Sequence, residues 1–162
     1  MLFRSALEIL KYGYSKKDRH ATHQLGTYYY NGIIKKLQDT KKGGELWVEA
    51  YNLYKEYNEH FGAEITYNLG IYYVDTLRNY VRGRYFFAVS ALAGDSDAAD
   101  ILVNDSKVYS LDMSKFFLDE VIKNGKFVTN EIGIRYRGFY DEKAFLHRSE
   151  EHTSELQSRQ VI

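Results

Sequence analysis

Apolar side chains along this chain fall at helical spacing. In Ala21–Tyr30 small or apolar residues stand at i and i+4, so Ala21 and Leu25 share one helix face. The pattern returns downstream and brings a short phrase with it: Leu25-Gly26-x-x-Tyr29, Leu69-Gly70-x-x-Tyr73 and Ile132-Gly133-x-x-Tyr136. An apolar residue stands four places before the first position of each, at Ala21, Ile65 and Val128. Ala98 holds that place before a degenerate copy that begins Leu102-Val103. A second unit accompanies the phrase, an apolar or aromatic pair followed eight residues later by glycine. Its instances are Leu53-Tyr54 with Gly62, Tyr85-Phe86 with Gly94 and Phe116-Phe117 with Gly125, the glycines lying 32 and 31 residues apart.

Each copy predicts two antiparallel helices. Glycine inside the first costs roughly 1 kcal/mol against alanine, so its return at one place implies a neighbouring helix too close for a Cβ. The second helix carries the aromatic pair, and its closing glycine suits a left-handed C′ position. One pair alone cannot bury its apolar face; stacked copies can. The expected fold is therefore all-α, a superhelical solenoid of antiparallel helix pairs. Leu25 to Leu69 spans 44 residues, and the excess is assigned to an extended loop over Asn31–Gly44, which is rich in Lys and Gly.

The order Ala-x-x-x-Leu-Gly-x-x-Tyr-x-x-Gly, then Asp-x-x-Lys-Ala, an aromatic pair and a closing glycine, resembles the SEL-one-like repeat, a tetratricopeptide-like helix pair. Tyr136–Phe145, Ala50–Gly70 and Arg84–Leu102 carry the resemblance best. It covers residues 1–147 as about three units with partial units at both ends, and implies a slice of a longer protein, truncated at both ends. Relatives of this kind serve as adaptors in endoplasmic-reticulum quality control, as activators of cell-wall synthases and as bacterial signalling or effector scaffolds. Arg148–Ser158 resembles, codon for codon, the translation of a common sequencing adapter, so residues 148–162 are set apart as a non-native tail.

Composition narrows the chemistry. Lys plus Arg equals Asp plus Glu at 22 each, which leaves no basic footprint for nucleic acid. The absence of cysteine removes disulfides, thiolate metal sites and Cys nucleophiles. No apolar run reaches the length of a membrane span. His20 and His23 near Asp18 are a poor metal set; Asp18 is better placed to cap the helix that follows. Gly43-Gly44 lacks the Gly-Lys-Ser/Thr ending of a phosphate loop. No carboxylate pair, Ser/His/Asp arrangement or cofactor motif emerges, so catalysis, cofactors and metals are not expected.

A solenoid of this kind is expected to be a non-catalytic protein–protein interaction scaffold that holds a peptide or helix in its inner groove. An alternative is the helical regulatory part of an enzyme whose catalytic domain lies elsewhere; a plain spacer is the third. Leu25, Gly26, Tyr29, Leu69, Gly70, Tyr73, Gly94, Ile132, Gly133 and Tyr136 are structural repeat positions. The chain's 16 tyrosines leave others to explain. Tyr28, Tyr30 and Tyr72 lie about 100° or more around the helix from the repeat tyrosines. They either face a partner or are partly buried. Gln24 and Asn68, one place before Leu-Gly, either hydrogen-bond a bound backbone or bridge neighbouring units. The candidate partner contacts are Gln24, Tyr28, Asn68, Tyr72 and Arg135.

Overall fold

The computed structural model describes residues 2–56, 63–105 and 108. Among them the chain is all-α and holds no strand. Its helices are α1 (Leu2–Ser15), α2 (Arg19–Asn31), α3 (Thr40–Glu56), α4 (Ala63–Ile71), α5 (Tyr80–Leu92) and α6 (Ser96–Asn104). Phe116-Phe117 with Gly125, the phrase Ile132-Gly133-x-x-Tyr136 and the segment 148–162 lie outside the described residues.

Helix starts are set by short polar side chains. Asp18 Oδ1 accepts the Ala21 N–H at 2.7 Å, and Asp95 Oδ1 accepts those of Asp97 and Ala98 at 2.9 and 3.1 Å. Asp39 Oδ1 accepts from Lys42 N–H, and Asn79 Oδ1 from Arg82 N–H. Each bond satisfies one of the donors that a helix N-terminus leaves over. α2 stops where Gly32 turns left-handed at φ 63°, and Gly94 stands beyond α5 at φ 105°. Both are conformations that favour glycine. α4 runs on into one π-helical turn, Tyr72–Thr76.

The helices pack chiefly on their neighbours in the chain, α1 on α2, α2 on α3, and so on to α6. Two of these crossings are built alike. A Cβ on Gly26 would meet Trp47 Cδ1 at 2.6 Å and the Gly43 carbonyl oxygen at 2.8 Å. A Cβ on Gly70 would meet the Phe87 ring at 2.7 Å. Trp47 stands four residues after Gly43 in α3, and Phe87 four after Gly83 in α5. Gly43 itself abuts the Tyr30 nitrogen and Gly26 oxygen, and Gly83 abuts Val74 and the Gly70 oxygen. The backbone joins in: Asp39 N–H donates to the Tyr29 carbonyl at 2.9 Å, and Asn79 N–H to the Tyr73 carbonyl at 2.8 Å. Even the cations correspond, Lys42 Nζ lying 4.2 Å from the Tyr29 ring centre and Arg82 Cζ 5.5 Å from that of Tyr73. The crossing of α2 with α3 is thus like that of α4 with α5.

This correspondence corrects the loop expected over Asn31–Gly44. Only Gly32–Asp39 lies between helices, and it includes a 3₁₀ turn at Lys35–Leu37. Thr40–Gly44 is helical, and Gly43 and Gly44 are buried in α3. They are glycines because neighbours come too close: Gly43 against α2, Gly44 against the Tyr72 ring. The excess length is divided between that connection and the longer helix, α3 having 17 residues against 13 in α5. In the register set by Gly43 and Gly83, Leu46 stands against Phe86; Gly62, which closes the unit of Leu53-Tyr54, lies outside the described residues.

The main core runs through α3, α4, α5 and α6, around Trp47, Tyr51, Leu69, Phe87 and Leu102. A smaller cluster of Leu7, Leu25, Tyr29 and Leu46 joins α1 to α2 and α3. Fully burying side chains of this size contributes about 1.5–3 kcal/mol each.

Candidate interaction cleft

α1, α2 and α3 enclose a cleft of about 330 Å³. Its floor is Leu25 and Tyr29 from α2, both repeat positions, with Leu46 from α3. α1 supplies Lys11 and Tyr14 to the walls; α3 supplies Lys42, Glu45 and Glu49. The helical period puts Lys42, Glu45, Leu46 and Glu49 on one side of α3. Tyr14 and Lys11, three apart on α1, share a side likewise.

Two of these lining residues are joined by a hydrogen bond from the Tyr14 hydroxyl to Glu49 Oε2 at 3.1 Å. That bond, with partial burial and the carboxylate charge, raises the Tyr14 hydroxyl above its ordinary pKa. The Lys42 ammonium, also in the lining, lies over the Tyr29 ring. Such a contact favours keeping the charge where an apolar floor would otherwise exclude it. The site therefore joins an apolar floor to a rim of both charges. Among the described residues no group of three or more His, Asp or Glu could hold a metal ion. No described helix is long and apolar enough to cross a membrane.

The residues singled out in the sequence occupy different places. Leu25, Gly26, Leu69 and Gly70 are buried in the two like crossings; Tyr29 is buried and Tyr73 half-buried. Gln24 is exposed on α2, and Tyr28 is half-buried against the smaller cluster. Arg135 lies outside the described residues.

Tyr72 does not face a groove. It is 4 % exposed, its ring laid against Gly44 and edge-on to Tyr30 at 6.4 Å. The reason is that α4 has a neighbour on each side: Tyr72 turns back to α3 while Val74, two residues on, turns to Gly83 of α5. Tyr30 is held as well, against Trp47 at 4.4 Å and by a hydrogen bond between its hydroxyl and Thr76 Oγ1 at 3.0 Å. Burial raises its pKa.

Asn68 takes the bridging role. Its Nδ2 donates to His23 Nε2 at 3.0 Å, linking α4 to α2. His23 is 6 % exposed, and burial lowers its pKa; nearby Glu64 opposes that effect and His20 adds to it. His20 Nδ1 is paired with the Tyr54 hydroxyl at 2.7 Å. Both histidines thus tie helices together, and Asp18 caps α2.

Sequence reasoning missed the α3 side of the cleft, because Thr40–Gly44 passed for loop. One signal could have found it. Asp39-x-x-Lys42-Gly43 and Asn79-x-x-Arg82-Gly83 lie 40 residues apart; the first matches the Asp-x-x-Lys-Ala part of the repeat pattern with glycine for alanine, and the second also has Asn for Asp and Arg for Lys. No family model, curated protein or solved structure matches the chain.

Proposed function

We propose that this chain is a non-catalytic protein–protein interaction scaffold, a solenoid of antiparallel helix pairs of SEL-one-like type, whose cleft between α1, α2 and α3 receives a segment of a partner polypeptide. The observation carrying this is the duplication of one crossing, with the same glycines, caps and tyrosine–cation contacts in α2–α3 and α4–α5. Chains that stack one helix pair on the next present extended surfaces suited to binding. An apolar floor inside a polar rim is the anatomy of an interaction hot spot.

The test is selection of a random-peptide display library on the immobilised full chain. Peptides should be enriched, and they should lose binding to the exposed-rim variant Lys11→Glu/Lys42→Glu. Failure to enrich any sequence above a blank surface, or equal capture by the variant, refutes the proposal.

A further inference from the structure

We infer that the anchor of the bound segment is an aromatic side chain, seated in the cleft at the place that Phe86 fills in the second helix pair. The inference deepens the scaffold proposal and rests on it. It starts from the duplication. Lys42, Gly43 and Trp47 correspond to Arg82, Gly83 and Phe87 by their similar contacts, and the same offset sets Leu46 against Phe86.

In the second pair the place is full. Phe86 is stacked on the repeat tyrosine, Tyr73, with ring centres 5.3 Å apart and 9° between planes. Tyr51, from the preceding helix α3, meets Phe86 edge-on at 5.4 Å. In the first pair the repeat tyrosine is Tyr29, and the residue beside it is Leu46, which is smaller and has no ring. The preceding helix α1 offers Tyr14, but Tyr14 points its hydroxyl to Glu49 at the rim and is 37 % exposed. The Phe86 ring of the second pair thus has no aromatic counterpart packed against Tyr29, which lines the cleft instead.

What the fold places over Tyr73 from within, a partner can place over Tyr29 from outside. The cleft's volume is at the small end for a binding pocket, suited to one large side chain. An aromatic residue gives more contact for the freedom it loses than an aliphatic one, and Lys42 is positioned to cover a ring. Lys11, Glu45 and Glu49 then face the residues flanking the anchor.

The experiment uses the full chain and two blocked amino acids, N-acetyl-phenylalaninamide and N-acetyl-leucinamide, titrated while the methyl resonances of Leu25 and Leu46 are followed by NMR. The phenylalanine probe should shift both saturably, roughly two- to tenfold more tightly than the leucine probe. Leu46→Phe, which installs the residue of the second pair, should abolish the response, read there at Leu25 alone, while keeping a cooperative melt. If that variant does not fold, Lys42→Ala at the exposed rim should weaken the phenylalanine probe and not the leucine one. Equal responses to both probes overturn the aromatic anchor and leave the cleft as a binding site. A Leu46→Phe chain that folds and still responds overturns it too, as does silence from both probes. Library peptides that depend on the cleft but carry aliphatic anchors would separate failure of this inference from failure of the scaffold proposal.

Discussion

Four glycines show how closely the two crossings are drawn. Added carbons at Gly26 and Gly43 meet backbone atoms of the facing helix below 3.0 Å. Those at Gly70 and Gly83 fall below 3.0 Å only against side chains, the Phe87 ring and Val74 Cγ2. A side chain can turn aside, whereas a backbone atom moves only with its helix. Alanine at any of the four gains about 1 kcal/mol of helix propensity. Overpacking costs about 1–3 kcal/mol, and the larger values belong where backbone is struck. Gly26→Ala and Gly43→Ala should therefore destabilise the chain by about 1–2 kcal/mol net, and Gly70→Ala and Gly83→Ala less. Urea denaturation of the four variants checks the order, and Gly70→Ala costing more than Gly26→Ala would contradict it. The need for glycine at 26 and 70 was legible because the residue recurs inside a phrase. The burial of Tyr72 was not, because helical angle alone says which residues point together, not which side holds a neighbour.

At the scale of elements, His23 carries the contact between α2 and α4. As acceptor of the Asn68 amide its Nε2 bears no proton, and burial holds its pKa below the ordinary value. The folded chain thus takes up this proton less readily than the unfolded one, whose histidine titrates near 6.5. Stability is fully present above about pH 6.5. It falls as the unfolded state protonates below that, until the folded pKa is passed. Glu64 moderates the effect and His20 strengthens it. Thermal melts between pH 8 and 5 should show a decline that is smaller in His23→Gln. Parallel pH profiles would show that His23 is not the group responsible. The helical character of the chain could be foreseen from spacing, and so could the cap at Asp18. The start of α3 could not, since Lys and two glycines have the composition of a loop. They are helical only because α2 and Tyr72 lie against them, a tertiary fact that local propensity cannot carry.

For the whole molecule the issue is how stability is distributed. Each described helix packs chiefly on its chain neighbours, and the α2–α3 crossing is like the α4–α5 crossing. If the array is a solenoid, its stability is close to a sum of pairs and the interfaces between them. Leu25 and Leu69 hold the same repeat position, both buried, one in the smaller cluster and one in the main core. Cutting either to alanine costs about 2–5 kcal/mol, but the consequences should differ in place. Leu25→Ala should lower native-state hydrogen-exchange protection in α1 and α2 and leave α5 and α6 nearly as they were. Leu69→Ala should lower it through α3, α4 and α5, because that leucine lies in the core they share. The bonds from Asn68 to His23 and between Tyr30 and Thr76 cross from one pair to the next, so the effect of Leu25→Ala should fade across that junction, not stop at it. Equal loss of protection in every helix from both variants would mean one all-or-none unit. The duplicated crossing would then be a feature of an ordinary helical domain, and the argument from stacked pairs to an extended binding surface would lose its basis.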